Sequence, residues 1–335
     1  MKMDYRQFMS YIEDNIEDYL GDVQPDCIQV LPDIKNNGIS EDTLIIHTRD
    51  NPLSPVIRLY PYYEEYISGT SPEMIMEKIA ADYFAGVYQP YTVPFGHMTD
   101  FEAVREDIFI RAVNYERNKE VLEHCPYIRK LDLALTFRVR FYQGSEGLSS
   151  LLVDNRLMGC WRISRNFLYE YAMKNTMAKF PPVIESSEDI YTELISELAA
   201  DKAKLSGYSW AEAERLAEDV KKTVCTDRTS CARPLYVITN NIRLNGATAV
   251  FYPGVLKEFA VSLSRGGMDF HLLPCSIHEM MIVPCADDDC SVQEYKKIVM
   301  SGNAEVVRPE EILSDNVYTY TFKTDEISIS TGQTI

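Results

Sequence analysis

Between Tyr5 and Leu20 the apolar residues Phe8, Ile12, Ile16 and Leu20 fall four apart with acidic residues between them. That spacing predicts an amphipathic helix with one buried stripe. From Ile28 to Tyr63 the pattern changes to short apolar runs broken by turn chemistry. Asn36-Asn37-Gly38 supplies positive φ, Asn51-Pro52 and Ser54-Pro55 interrupt pairing, and Val56 to Tyr60 resumes the run, which predicts a three-stranded antiparallel meander. Ser71-Pro72-Glu73 is a cap, a first-turn proline and a first-turn acid, and opens a helix that buries Ile75, Ile79 and Tyr83. A second long helix is expected from about Asp100 to Leu122, reached through a connector at Gln89 to Met98 that carries Pro90, Pro94 and Gly96.

After Pro126 the pattern restarts. Leu133, Leu135, Phe137, Val139 and Phe141 alternate with Thr136, Arg138 and Arg140, the signature of a half-buried strand. Gly144 to Gly147 turns it into Leu148–Val153, and Ser164 caps a helix carrying Phe167, Leu168, Tyr171 and Ala172. Helical segments near 188–200 and 209–224 follow. Leu235–Ile238 and Ala247–Phe251 read as strands joined through Asn240-Asn241, and Pro253 opens a helix burying Leu256, Phe259, Ala260 and Leu263. Phe270–Leu273 and Met280–Val283 flank a turn at Pro274-Cys275-Ser276. Ser291 and Glu294 form a capping box for the last helix, and Val317–Phe322 is a final strand. There is no internal repeat. The sum is an α+β chain with mostly antiparallel sheets flanked by helices, in an N-terminal lobe 1–124 and a C-terminal lobe 125–335.

Composition narrows the function classes. Of 335 residues 46% are hydrophobic and 25% charged, the balance of a folded globular protein. Acidic residues outnumber basic ones 51 to 33, a net charge of -18, and no cluster of five or more Lys and Arg occurs, so direct nucleic-acid binding is not expected. The start, Met1-Lys2-Met3-Asp4-Tyr5, lacks the basic and apolar stretches of a signal peptide, and no apolar run of eighteen residues follows, so the expected location is cytoplasmic with no membrane contact. The eight cysteines are then free thiols. The pairs Cys225/Cys231 and Cys285/Cys290 lack the tight spacer of zinc knuckles, and the scattered histidines make no helical metal pair, so neither a metal nor another cofactor is expected.

Two segments carry candidate chemistry. Pro274-Cys275-Ser276-Ile277-His278-Glu279 gathers thiol, hydroxyl, imidazole and carboxylate at one turn. If extended, Ser276 and His278 share a face and Glu279 takes the other; if helical, Ser276 and Glu279 are neighbours resembling a cap. Ser276, His278 and Glu279 are therefore the catalytic candidates, with Cys275 as an alternative nucleophile, although no glycine-rich nucleophile elbow accompanies them. Tyr60-Pro61-Tyr62-Tyr63-Glu64-Glu65-Tyr66 offers Tyr60, Tyr62, Tyr63, Glu64 and Tyr66 as a contact surface, since tyrosine presents a rigid amphipathic face; Asn240 is a further binding candidate. The same tyrosines suit a strand edge closing over a core.

Several segments resemble a bacterial family known as domain of unknown function family 5688. In the first half these are Asp33-Ile34-Lys35-Asn36-Asn37-Gly38, Ser54-Pro55-Val56-Ile57-Arg58-Leu59 and Tyr63-Glu64-Glu65-Tyr66. In the second they include Trp161-Arg162-Ile163-Ser164, Val237-Ile238-Thr239-Asn240, Tyr252-Pro253 and Leu273-Pro274-Cys275-Ser276-Ile277-His278-Glu279. The resemblance covers most of the chain. It implies a bacterial, Firmicutes-type source and a setting among mobile-element genes, and assigns no chemistry. The residues and the resemblance together favour a non-catalytic protein-binding or regulatory protein with a protein partner, against the alternative of a hydrolase using Ser276 or Cys275 with His278.

Overall fold

The structure, a computed structural model, describes residues 2–49, 55–87, 97–144, 147–190, 235–285 and 291–331, with isolated positions between 192 and 215. The expected connector at Gln89–Met98, the helices near 188–200 and 209–224, and Cys225, Cys231 and Cys290 lie wholly or mostly outside them. The fold is α+β with mostly antiparallel sheets, in two compact units between which the chain passes more than once. The first holds Met1–Ile108, Arg117–Pro126 and Arg138–Ser164, the second Phe109–Glu116, Tyr127–Phe137 and Arg165–Ile335.

The first unit follows the hydrophobic pattern closely. Helix α1 (Tyr5–Asn15) starts with a capping box in which the Asp4 carboxylate accepts from Gln7 N and the Gln7 side chain accepts from Asp4 N. Its stripe, Phe8 and Ile12, continues through Ile16 and Leu20 in a following 3₁₀ turn, and all four are fully buried. Strands β1 (Cys27–Ile34), β2 (Ser40–His47) and β3 (Val56–Arg58) form the expected antiparallel meander in that order. Its tight turn holds Asn37 at φ 63 and Gly38 at φ 70, the conformation that asparagine and glycine tolerate best. Two helices, α2 (Tyr60–Ser68) and α3 (Pro72–Val87), pack Tyr62, Tyr66, Ile75, Met76, Ile79 and Tyr83 onto the same core.

Tyr5 is expected to make this core sensitive to alkaline pH. Burial, then the neighbouring Asp42 carboxylate, pushes its hydroxyl up to about 12, against about 10 in an unfolded chain. A raised folded value means the contribution is fully present below about pH 10 and is lost as pH rises towards 12. Urea denaturation of wild type and Tyr5→Phe across that range should show the wild type losing stability faster. Parallel curves would remove Tyr5 as the source.

The helix expected over 100–122 is replaced by a short helix α4 (Phe101–Val104), a buried strand β4 (Ile108–Asn114) and a short helix α5 (Lys119–Leu122). The charges at Glu102, Arg105, Glu106 and Asp107 imitate a helix surface. The run Ile108-Phe109-Ile110-Arg111-Ala112-Val113 is nearly all buried, so it lacks the alternation that marks a one-sided strand. Strands β5 (Tyr127–Lys130), β6 (Leu133–Gly144) and β7 (Gly147–Leu152) complete its sheet, in the order β4-β6-β5 with β7 on β6. Leu133–Phe137 of β6 counts with the second unit and Arg138–Gly144 with the first. Helix α6 (Asn155–Trp161) closes the first unit, and the Trp161 ring donates to Met98 O at 2.9 Å.

The second unit is built on a six-stranded antiparallel sheet. Its strands are β8 (Pro182–Ser186), β9 (Tyr236–Asn240), β10 (Phe270–Pro274), β11 (Met280–Pro284), β12 (Tyr318–Thr321) and β13 (Glu326–Ile329), in the order β13-β12-β10-β11-β9-β8. Helices α7 (Arg165–Lys179), α8 (Val255–Leu263) and α9 (Val292–Glu305) accompany it, the last with the expected capping box of Ser291 and Glu294. The strand expected at Ala247–Phe251 is instead a 3₁₀ segment, Gly246–Phe251, entered through Asn245 at φ 56. A short apolar run buried on all sides has no period to separate the two conformations. Hydroxyls seal one strand here: Ile110 N donates to Thr176 Oγ1 at 2.9 Å and Ala112 N to Thr248 Oγ1 at 3.0 Å.

Candidate functional site

The turn between β10 and β11 is assembled from its own backbone outward. Cys275 N and Ser276 N both donate to Glu279 O at 3.2 Å, and His278 N donates to Ser276 Oγ at 2.9 Å. Neighbouring elements then grip it. Ile277 N donates to Glu311 O at 2.8 Å, Ala247 N to Ile277 O at 3.3 Å, and Thr239 Oγ1 to His278 O at 2.8 Å.

The imidazole is held at both nitrogens. Asn245 N donates to His278 Nδ1 at 3.1 Å, and His278 Nε2 lies 3.4 Å from Glu311 Oε1. Because Nδ1 accepts, the neutral ring carries its proton on Nε2, pointing at the carboxylate. Arg308 Nη2 binds the same oxygen at 2.6 Å. The acid that orients His278 is thus Glu311. Glu279 makes no side-chain hydrogen bond or ion pair among the described residues, and Ser276 Oγ meets the His278 backbone and not its ring. Burial, then the nearby Glu279 carboxylate, pushes the Cys275 thiol up to about 11, away from a reactive thiolate. Arg111 on β4 is the nearest thing to an unspent charge here: its Nε is shut from solvent without an acceptor, and burial lowers the guanidinium to about 10 although Glu311 opposes that.

The second unit also carries an open cleft of about 640 Å³, which sequence reasoning missed. It is lined by segments from five parts of the chain, including Arg129-Lys130 at the end of β5, Tyr169 on α7, Val250–Gly254, and Glu326, Ile327 and Ser328 on β13. Arg129 lies over the Tyr115 ring, 3.9 Å from its centre, and donates through Nε to Leu131 O at 3.3 Å. Among the described residues neither Arg129 nor Lys130 meets a carboxylate, and the Tyr169 hydroxyl meets no partner while burial raises its pKa. No local motif announces such a site, since its parts meet only after folding.

With that geometry in hand, comparison with known proteins gives one result. The model of a family of unknown function, DUF5688, matches residues 5–321. The chain belongs to that family. No curated protein and no solved structure matches it. The match spans the turn and the tyrosine segment of this DUF5688 chain and most of the cleft lining, and ends before Thr324–Ser328 and strand β13.

The tyrosine segment forms helix α2 and turns mostly inward. Tyr62 and Tyr66 are buried, Tyr63 is half-buried with its ring centre 5.0 Å from that of Tyr5 and 5.4 Å from that of Phe8, and the Tyr62 hydroxyl bonds Asp82. Tyr60, 54% exposed, and Glu64 keep their side chains towards solvent. Asn240 is 3% exposed and shapes the turn after β9, donating to Leu244 O at 2.8 Å and accepting from Ile242 N at 3.1 Å. Among the described residues no group of three or more His, Cys, Asp or Glu is placed to hold a metal ion, and no helix is long and apolar enough to cross a membrane.

Proposed function

We propose that the protein is a non-catalytic, cytoplasmic binding protein of bacterial origin that engages a protein partner through the cleft of its second unit, in a regulatory role linked to mobile elements or host interaction. One contrast carries the reading. The polar groups of the Pro274–Glu279 turn are largely spent on holding the fold, whereas the open concave cleft presents two cations that meet no carboxylate and a hydroxyl without a partner among the described residues. Capture with immobilised wild type and with the double variant Arg129→Glu/Lys130→Glu, compared by quantitative mass spectrometry, tests it. A partner enriched on the wild type and lost on the variant is expected; identical captures would sink the reading.

A hydrolase using Ser276 or Cys275 with His278 is the second reading, favoured by the His278–Glu311 pair, since a carboxylate beside an imidazole is how such bases are oriented. It requires the ring to leave Asn245 N or Glu311 before it could take a proton from either nucleophile. The thiols separate the two readings. Native labelling with a maleimide at pH 8, read by peptide mass spectrometry, should modify exposed Cys160 first among the described cysteines, with Cys125 and Cys275, both raised to about 11 by burial, last. Labelling of Cys275 as fast as Cys160 would restore it as a nucleophile.

A further inference from the structure

The six-stranded sheet ends at β13, and its register decides which backbone groups that end presents. Ser330 N donates to Val317 O at 2.9 Å, and the pairing continues as Thr319 with Ser328 and Thr321 with Glu326. Antiparallel pairs alternate between bonded and non-bonded. Ser330, Ser328 and Glu326 are therefore bound to β12, and the N–H and C=O groups of Ile327 and Ile329 turn outward. Among the described residues no hydrogen bond receives them. The same unit seals the N–H groups of Ile110 and Ala112 with threonine hydroxyls, but β13 carries neither proline nor lysine.

This open edge borders the cleft, to which Glu326, Ile327 and Ser328 contribute together with Arg129, Lys130 and Tyr169. The charge balance there decides what fits. Asp325 is already engaged by the Tyr320 hydroxyl at 2.7 Å and by Lys257 at 3.6 Å. The lining carries Arg129 and Lys130 against Asp325 and Glu326, and with Asp325 offset by Lys257 two cations remain against one carboxylate, a local positive surplus in a chain whose net charge is -18.

We propose that the cleft is a strand-addition site, in which an extended, carboxylate-bearing segment of a partner protein pairs with the outward groups of Ile327 and Ile329 and sets its acids on Arg129 and Lys130. Main-chain hydrogen bonds supply the affinity in such complexes and side-chain contacts the selectivity. The proposal rests on the binding reading above and names the element of the partner that is taken.

The probe is a dye-labelled eight-residue peptide alternating Glu and Val, titrated with the full chain by fluorescence anisotropy. Binding is expected, and should weaken at least about tenfold when alternate peptide amides are N-methylated or when Lys replaces Glu. Ile327→Pro should weaken it similarly, because the proline removes an outward donor and leaves the bonds to β12 untouched; the N-methylated peptide makes the same point without altering the protein. Equal binding of the methylated peptide, or no binding of any peptide, overturns strand addition. If the captured partner is nevertheless lost on Arg129→Glu/Lys130→Glu, the binding reading survives that failure. Concentration-dependent dimers that Ile327→Pro dissolves would overturn the proposal in favour of a second copy at the edge.

Discussion

Gly246→Ala should destabilise the second unit by about 3 kcal/mol or more, because a methyl group has nowhere to go. A Cβ at this position would stand 2.6 Å from Asn240 N and 2.6 Å from His278 O and would run into Thr239 Oγ1. Two of these three neighbours are backbone atoms, so rotation of a side chain cannot relieve the contact. The glycine lets the 3₁₀ segment lie directly against β9 and the β10–β11 turn, and so places Asn245 N on the His278 ring. Thermal unfolding followed by circular dichroism should drop by roughly 6–12 °C, at about 2–4 °C per kcal/mol for a body of this size. Gly302→Ala in α9 is the control: nothing lies within 4 Å of its added methyl, and helix propensity predicts a gain of about 0.5–1 kcal/mol. A Gly246→Ala protein as stable as wild type would show that the segment does not pack on the turn as described.

Asp132→Ala should cost about 2–6 kcal/mol, from two buried donors left without an acceptor at about 1–3 kcal/mol each. Asp132 follows Leu131, held at φ 58 in the β5–β6 turn. Its carboxylate accepts from the Tyr318 hydroxyl at 2.8 Å, from Ser314 Oγ at 2.6 Å and from Asn316 Nδ2 at 3.0 Å. Tyr318 and Ser314 are 1% and 0% exposed, so water cannot replace the lost oxygen without opening the core. Asp132→Asn keeps one acceptor oxygen and should fall between. In the Asp132→Ala background, Tyr318→Phe should be much less damaging than in wild type, because it removes a hydroxyl already without a partner. Urea denaturation of the four proteins reads this coupling, and strictly additive losses would mean that Asp132 is not the hub of the network.

What the sequence disclosed depended on whether burial was one-sided. The stripe Phe8, Ile12, Ile16, Leu20 and the Asn37-Gly38 turn appear where expected, since one face is buried or one φ value is demanded. The runs at Ile108–Val113 and Ala247–Phe251 were misassigned in opposite senses, helix for strand and strand for 3₁₀, because both are buried all round and their periodicity is erased. Strand β13 is short and had its alternation at Ile327 and Ile329, yet it follows a turn at Asp325 (φ 57) that separates it from the longer apolar run before it. The chemistry at His278 was half legible. Proximity in sequence offered Glu279, but the carboxylate beside the ring is Glu311, which reaches it only through the fold. The cleft was illegible for the same reason, as its cations on β5 and its edge on β13 come from distant parts of the chain.

The central claim is that the Pro274–Glu279 turn serves the fold and leaves binding to the cleft. Diethyl pyrocarbonate labelling of the native protein, resolved by peptide mass spectrometry, tests it most directly at His278. Exposed His97 and His124 should label readily, while His278, bonded at Nδ1 and facing Glu311 at Nε2, should stay protected until the protein unfolds. Labelling of His278 as fast as the exposed histidines would contradict the account and make the turn a reactive site.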